Sequence, residues 1–565
     1  MNTHTQERLQ ALLAQVYPAE QVGGLLHNII ALVNHYKSMM EQGETHQLSE
    51  KDVVLITYGD QVQREGEFPL QTLKRFLDEH TDGLITSVHI LPFYPYSSDD
   101  GFSVIDYYEV NPDWGTWETI AELAKAYRLM FDGVINHISQ ESEWFKQFLA
   151  GDPRYANYFI EDDPAKDYSK VVRPRVLPLL HGYEDATGQT RHVWTTFSRD
   201  QVDLNYRNPQ VLLQIIDLLL FYAINGAKLI RLDAIGFMWK ENDSTCIHLP
   251  QTHNLIKVMR AVMAEAMPDL IFITETNVPH VENISYFGNG HDEAQMVYNF
   301  TLPPLLAYSL LNGTSEKFTA WAQSLEFPSN EVCFFNFTAS HDGVGLRPVS
   351  GILNEAEIDI LLSAAKANGG RVSYKTDADG GQSPYEINCN YLSLLCGAEK
   401  DTEQGVARMT LAQAVMLAFP GLPAIYFHSL VGSQNDLAGM ERSGQNRRIN
   451  REKLDYQQLE EELKTDPVRQ AVWSAVQHLL RVRQQSAAFH PFGTFRFHDL
   501  SSSLITIQRF SPDQQEEVWL LFNLTAGRQE VHLPSGSYAD LLYEEEAGTK
   551  QYLRAYEYRW LRKKV

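Results

Sequence analysis

Short, continuous apolar runs recur along the middle of the chain, beginning with Val53–Asp60. Runs of this length are typical of strands that are covered on both faces. Most are separated by segments with the apolar spacing of helices, such as LLLQIIDLLLFYAI. The eight runs are Val53–Asp60, Ser87–Phe93, Arg128–Asn136, Lys228–Ala234, Leu270–Thr276, Gln295–Phe300, Cys333–Asp342 and Pro423–Ser429. This alternation predicts an α/β protein built on a (β/α)8 TIM barrel.

The remaining segments predict additions to this barrel, which itself would comprise residues 51–137, 208–343 and 406–484. Residues 1–50 have helical spacing and predict an N-terminal helical extension. Polar inserts at 138–207 (an inserted domain B) and 344–405 (a second inserted domain) follow the third and seventh runs, and loops of this length are usually functional. From residue 485 to 565 short alternating runs predict a small antiparallel β domain.

Composition and charge narrow the class of protein. The chain has 565 residues, of which 44% are hydrophobic and 21% charged, as in ordinary globular proteins. A net charge of −25 argues against nucleic-acid partners. The four cysteines have no CxxC spacing, and no secretory signal or membrane-length apolar run is present. We therefore expect a cytoplasmic protein without a membrane partner, and a homodimer is one option for its assembly.

Polar residues stand where several of the runs end. In a (β/α)8 barrel, such residues at the carboxyl ends of strands are the catalytic candidates. Taken singly each has a structural explanation; Arg231 and Asp233, for example, lie on one face of a strand and could form an ion pair that only stabilises the fold. Three carboxylates, two histidines and an arginine at one barrel mouth together favour a catalytic site. The carboxylates are Asp233, Glu275 and Asp342, the histidines are His137 and His341, and the arginine is Arg231; Asp99 and Asn136 also follow runs.

Four of these segments, FDGVINH, RLDAIGF, ITETN and ASHDG, resemble the motifs of family 13 glycoside hydrolases, the α-amylase clan. The resemblance covers roughly residues 51–484. LMFDGVINHIS, RPRVLPLL, SPYEIN and NRRINR are similar to the sucrose-phosphorylase subfamily. LPFYPYSSDDGFSVIDY, GFMWKE, ITETNVPH and the N-terminal extension are similar to its bacterial glucosylglycerate phosphorylases.

The resemblance implies a retaining double displacement. Asp233 would be the nucleophile, Glu275 the acid/base and Asp342 the stabiliser of the transition state. Arg231 should lower the pKa of Asp233, and the surroundings of Glu275 should raise its pKa so that it can donate a proton. The residues implied to contact the glucosyl group are Asp99, His137, His341 and Arg447, with Phe102 as a wall of the pocket.

Cofactors are not expected. Members of the clan often bind calcium beside the Asn-His pair, whereas this subfamily generally does not. No cluster of Asp and Glu in the sequence requires a metal. The resemblance therefore implies metal-independent chemistry.

A phosphate acceptor would need arginines and other donors in the inserts. The candidates are Arg173, Arg175, Arg347 and Tyr385. The subfamily places phosphate contacts on the RPR segment and on the tyrosine. Each arginine, considered alone, could equally be a solvated surface charge.

The leaving group is the part of the function that the sequence leaves most open. Phe237 and Glu386 depart from the residues usual in sucrose phosphorylases at positions that contact the non-glucosyl partner. We expect reversible phosphorolysis of 2-O-α-D-glucosyl-D-glycerate, with the glycerate carboxylate on Arg347 or Arg175. Glucosylglycerol is the alternative substrate, followed by sucrose or its 6′-phosphate. A hydrolase or transglucosidase of the same fold and a non-catalytic sugar-binding protein also remain open.

Overall fold

The structure is a computed structural model that describes residues 1–39, 46–174, 178–376 and 381–564, with only the backbone of Thr376. Arg175 therefore lies outside the described residues, as do residues 40–45 of the predicted extension and 377–380 of the second insert.

Eight parallel strands close a barrel, which confirms the predicted fold class. Each strand pairs with its neighbours in chain order, and β8 returns to β1, where Val54 pairs with both Ser87 and Ala424. The strands are β1 Val54–Thr57, β2 Ser87–Ile90, β3 Arg128–Gly133, β4 Ala227–Leu232, β5 Ile271–Thr274, β6 Met296–Tyr298, β7 Cys333–Asn336 and β8 Leu422–Tyr426.

All eight strands end before their apolar runs do, and β7 ends the furthest from the end of its run. β3 ends at Gly133 and β7 at Asn336, several residues before the ends of their apolar runs. The runs continue because the loops beyond the strands are themselves buried: Val134 and Ile135 are fully buried under the first insert. Residues in these loops therefore share the apolar composition of a strand without its pairing.

Helices between the strands surround the barrel. Several begin at a proline, which suits the first helical turn because that turn needs no backbone donor. The helix Pro209–Ile224, for example, also has the Asn208 side chain accepting from the N–H of Gln210. The helices of the barrel are Pro69–His80, Trp117–Ala124, Pro209–Ile224, Pro250–Ala266, His280–Ile284, Leu302–Asn312, Glu316–Gln323, Thr402–Ala418, Phe427–Leu430, Leu437–Ser443, Tyr456–Thr465 and Pro467–Arg483.

Two N-terminal helices, α1 (Thr3–Leu13) and α2 (Ala19–Met39), lie on the outside of the barrel. They contact the helices Pro209–Ile224 and Pro250–Ala266. The Tyr17 hydroxyl donates to the backbone oxygen of Tyr206 at 2.9 Å. The helix Pro209–Ile224 is apolar on most sides because it faces both the barrel and α2.

Both inserts extend the carboxyl-terminal face of the barrel, since they follow β3 and β7. A short strand, His137–Ser139, pairs antiparallel with Gln201–Asp203, and a hairpin forms in each insert. The remaining insert elements are Glu143–Leu149, Leu180–Glu184, Thr190–Trp194, Val344–Gly345, Glu355–Ala367, Arg371–Thr376, Gln382–Asn388 and Tyr391–Leu395.

The C-terminal region is antiparallel, as predicted. It has a six-stranded sheet and a two-stranded pair, Gln529–His532 with Lys550–Leu553. In spatial order the six strands are Phe495–His498, Leu504–Phe510, Glu517–Asn523, Tyr558–Lys563, Tyr538–Asp540 and Glu545–Ala547.

Candidate active site

A cavity of about 750 Å³, including its open mouth, lies at the carboxyl ends of the barrel strands. Most of the residues singled out in the sequence line it. They are Asp99, Phe102, His137, Arg231, Asp233, Phe237, Glu275, His341, Asp342, Arg347, Tyr385, Glu386 and Arg447. Arg173 is exposed and does not belong to the lining, although its neighbour Pro174 does.

The turn after β4 joins two of the carboxylates. Asp233 comes directly after the last residue of β4, and Ala234 follows with a left-handed φ of 49°. This conformation is unfavourable for a residue other than glycine, and such strain is concentrated at functional sites. It lets the backbone N–H of Ala234 donate to Oε2 of Glu275 at 2.9 Å. The turn therefore fixes Glu275 beside Asp233.

Arg231 lies beneath both carboxylates and is almost fully buried. Its Nη1 donates to Oδ1 of Asp233 at 2.7 Å, and its Nη2 is 3.9 Å from Oε2 of Glu275. The same guanidinium hydrogen-bonds the buried Asp132, whose other oxygen is 2.7 Å from Nε2 of His89. The pair predicted from strand alternation is therefore one part of a larger buried network.

The sequence analysis missed Asp132 and His89. The signal for Asp132 was present, because a carboxylate inside an otherwise apolar strand needs a buried partner. His89 carried no comparable signal, since a single histidine in a strand has many structural explanations.

Burial raises the pKa of both Asp233 and Glu275, and it raises that of Glu275 to about 7. Arg231 lowers both values, and repulsion between the two carboxylates raises that of Glu275. The expectation for Glu275 has the right direction. Arg231 lowers the pKa of Asp233, as expected, but desolvation outweighs this effect, so that the pKa lies above the usual value for an aspartate.

The pKa of Asp342 is shifted in the opposite direction from those of Asp233 and Glu275. Burial would raise its pKa, but the cations around it hold the value well below the usual range for an aspartate. Arg447 Nη1 is 2.7 Å from Oδ1 of Asp342, and Arg451 Nη2 is 3.7 Å away. Asp342 therefore remains ionised while Glu275 can hold a proton.

Aromatic rings and histidines form one wall. Phe102 stacks on His341 with ring centroids 4.8 Å apart, and the Arg231 guanidinium lies 5.4 Å from the centre of the Phe102 ring. Nε2 of His137 is 3.0 Å from the backbone oxygen of Phe102. Phe237 packs edge-on against Phe197. These contacts fix a rigid, partly apolar surface on which a sugar ring can rest.

Arg447 and Glu386 form an ion pair that was not anticipated. Arg447 reaches Glu386 through Nε at 3.1 Å and Nη2 at 2.7 Å, while its Nη1 binds Asp342. Two residues predicted to touch opposite ends of a substrate thus bind each other in the structure. The pair also forms a partition at one side of the cavity.

Arg347 differs from the other arginines of the cavity. Its guanidinium makes no hydrogen bond and no ion pair with any described residue, whereas Arg231 and Arg447 are each held by two carboxylates. Tyr385 lies beside it at a bulge: Ser373 pairs with Glu386 and Tyr374 with Pro384, so Tyr385 has no partner on the strand Arg371–Thr376. Burial raises the pKa of Tyr385 to about 12. The neutral phenol and the free guanidinium are suited to an anion.

A buried ammonium lies beside Asn136. Lys240 Nζ is 2.6 Å from Asp203 and 3.0 Å from Oδ1 of Asn136, and all three residues are buried.

Within the described ranges, no three His, Cys, Asp or Glu side chains are arranged to hold a metal ion. In the same part of the chain, none of the helices has the length and apolar character needed to cross a bilayer.

The barrel and its carboxylate-lined cavity place the protein among the (β/α)8-barrel enzymes. Residues 81–342 match the family model described as "Alpha amylase, catalytic domain". The chain is 46% identical to the glucosylglycerate phosphorylase of Spirochaeta thermophila (94% of this chain, 91% of the relative). It is 43% identical to that of Escherichia coli K12 (98% and 100%). The chain therefore belongs to the α-amylase family, glycoside hydrolase family 13, in the branch that contains these phosphorylases.

The fold also matches a crystal structure. Sucrose 6F-phosphate phosphorylase from Thermoanaerobacter thermosaccharolyticum superposes with a TM-score of 0.75 over 90% of this chain and 99% of that one. Identity is 23%, so this similarity concerns the fold alone.

Proposed function

We propose that the protein is a retaining α-glucoside phosphorylase that converts 2-O-α-D-glucosyl-D-glycerate and phosphate reversibly to α-D-glucose 1-phosphate and D-glycerate. The observation that carries the proposal is the unpaired Arg347 guanidinium in a cavity of a protein with net charge −25. A cation kept free of carboxylates there is suited to an anionic substrate. The names of the two relatives support the same substrate.

In the first step, Asp233 attacks the anomeric carbon and forms a glucosyl ester. Glu275 gives its proton to the glycerate oxygen, so that glycerate leaves as an alcohol. The pKa of about 7 supports this role, because the carboxyl then holds a proton near neutral pH. Asp342, which stays ionised, stabilises the positive charge that develops on the sugar ring.

In the second step, a phosphate oxygen attacks the same carbon from the face that glycerate left. The ester bond to Asp233 breaks, and Glu275 can take back a proton from phosphate. Two inversions give net retention, so the product is α-glucose 1-phosphate. Because glycerate and phosphate are both anions and use the space in turn, Arg347 and Tyr385 can serve each of them.

The test is synthesis from α-glucose 1-phosphate with D-glycerate, glycerol or fructose as the acceptor at equal concentrations. The rate of phosphate release is measured for each acceptor. Glycerate should be used at least about tenfold faster than glycerol or fructose, since a charged arginine–carboxylate contact is worth about 1.5–3 kcal/mol. A preference for glycerol would overturn the substrate while leaving the mechanism standing.

Arg347→Ala is the matching variant, with Arg173→Ala as its comparison because Arg173 is exposed and does not line the cavity. Arg347→Ala should remove most of the preference for glycerate over glycerol and fructose. Its effect on the KM for phosphate should be smaller than its effect on that preference. If Arg173→Ala removes the preference instead, the acceptor site lies on the first insert.

A further inference from the structure

A second cavity lies on the far side of the Glu386–Arg447 ion pair, and we call it the outer cavity. It shares six lining residues with the catalytic cavity, among them Asp99 and Arg447, but neither Glu275 nor Arg347. Its volume, including its open mouth, is about 1200 Å³. The residues that line the outer cavity but not the catalytic cavity include Ser98, Ser373, Tyr374, Asn388, Gln445 and Asn446.

The charges of the outer cavity do not suit an anion. Among the described residues, two carboxylates and two guanidinium groups contribute to its lining, so that these charges balance. Both cations are already bound: Arg447 by Glu386, and Arg451 by Asp100 at 2.8 Å. Among the described residues that line it, the outer cavity therefore has no free guanidinium like that of Arg347, and these residues suit a neutral ligand better.

Its own lining consists largely of hydroxyl and amide groups, which both donate and accept hydrogen bonds. Asn388 is 1% exposed, and its amide nitrogen donates to Oγ of Ser373 at 2.9 Å. Its carbonyl oxygen is buried and makes no hydrogen bond within the described residues. Because a buried acceptor without a hydrogen bond is destabilising, a ligand hydroxyl that donates to it would be favoured.

An exposed aromatic ring completes the lining. Tyr374 is 40% exposed, so its ring is accessible to a ligand. Ser373 and Tyr374 both line the outer cavity, next to the bulge at which Tyr385 is the extra residue of the facing strand. A ring with a polar tip beside amides and hydroxyls is suited to the apolar face of a sugar.

We propose that the outer cavity is a second carbohydrate subsite, which binds a neutral sugar ring beyond the Glu386–Arg447 partition. Tyr374 packs against the ring, and Asn388 accepts a hydrogen bond from one of its hydroxyls. The subsite is separate from the anion-binding part of the catalytic cavity, and its occupation requires no turnover.

The test measures maltose binding by isothermal titration calorimetry to the full chain carrying Asp233→Asn, which blocks turnover. Adding Tyr374→Ala should weaken maltose binding about fivefold, the equivalent of about 1 kcal/mol for one aromatic contact. Tyr552→Ala is the matched control, because Tyr552 is 41% exposed but lies in the C-terminal region. Equal affinities for the two variants, or no maltose binding at all, would overturn the proposal.

A second titration separates the two cavities. Glucose 1-phosphate is first titrated alone, and maltose is then titrated at saturating glucose 1-phosphate, where its binding should persist. Loss of maltose binding under saturation places the sugar in the catalytic cavity and refutes the subsite. If glucose 1-phosphate itself fails to bind, the proposed phosphorylase function is at fault, whereas the Tyr374→Ala comparison still decides on the subsite.

Discussion

At the scale of single residues, opposite protonation of neighbouring carboxyls defines the chemistry. Glu275 and Asp342 are both buried in the same cavity, but Arg447 lies 2.7 Å from Asp342, whereas Arg231 lies 3.9 Å from Glu275. Burial without a close cation raises a carboxyl pKa, and a paired cation lowers it. The cavity can therefore supply a proton from one side chain and a negative charge from the other.

Replacement of Asp233 by asparagine tests the nucleophile. Asp233→Asn should lower the rate of phosphate release from glucose 1-phosphate by at least about 10³-fold, because an amide cannot form the glucosyl ester. Asp243→Asn is the control, since that side chain is 89% exposed. Turnover close to that of the unmodified protein would show that another group attacks the sugar.

The pH profile tests Glu275. Its pKa is raised to about 7, so the protonated form falls about tenfold per pH unit above that value. Phosphorolysis should decline in the same range, because the leaving oxygen needs the proton. The Glu275→Gln variant should catalyse phosphorolysis slowly, and its rate should not decline above pH 7 in this way.

Azide provides the complementary measurement on Glu275→Gln. An anion that needs no base should restore part of the turnover of a donor with a good leaving group. If the rate of the variant still declines above pH 7, the acid/base role of Glu275 is contradicted. The same holds if azide restores turnover with none of these donors.

At the scale of elements, the inserts are fastened to the barrel by buried polar contacts near the cavity. The strand Gln201–Asp203 of the first insert ends in Asp203, which binds Lys240 in the loop after β4 and accepts from the N–H of Thr196 at 2.7 Å. The insert and the strand that carries Asp233 thus meet at one ammonium group.

Removing that ammonium should destabilise the protein. Lys240→Met leaves Asp203 buried without its cation, which should lower the free energy of unfolding by about 3–5 kcal/mol. Lys125→Met, at a side chain that is 69% exposed, should change it little. Both are compared by denaturant midpoint. Adding Asp203→Asn to Lys240→Met should recover part of the loss; no recovery would mean that the packing of the lysine stem matters more than its charge.

At the scale of the whole molecule, the N-terminal pair of helices is part of the hydrophobic core. Ile29 and Val33 of α2 are fully buried, and Tyr36 hydrogen-bonds Asp217 of the barrel helix Pro209–Ile224 at 2.9 Å. The extension therefore covers apolar barrel surface that would otherwise face water.

A cavity in this interface tests its contribution. Ile29→Ala should lower the free energy of unfolding by about 2–5 kcal/mol, as expected for a large-to-small change in a packed core. Val281→Ala serves as the control because Val281 is 77% exposed. Equal midpoints in denaturant for the two variants would mean that α2 does not unfold together with the barrel.

The sequence by itself determined the barrel, the antiparallel C-terminal sheet and the set of polar residues at the strand ends. Apolar runs and helical spacing are local properties, and strand order in a (β/α)8 barrel follows chain order. The same local rule overestimated β3 and β7, because a buried loop and a buried strand share an apolar composition.

Only the tertiary structure decided which charges pair. Arg447 binds Glu386 and Asp342, which are 61 and 105 positions away in the chain, while Arg347 has no carboxylate partner in the described part of the chain. The net direction of the Asp233 pKa likewise depends on its burial as well as on Arg231. Pairing and desolvation depend on distances between chain segments that are remote in sequence, so the arginine free to bind an anion could be identified only in the folded protein.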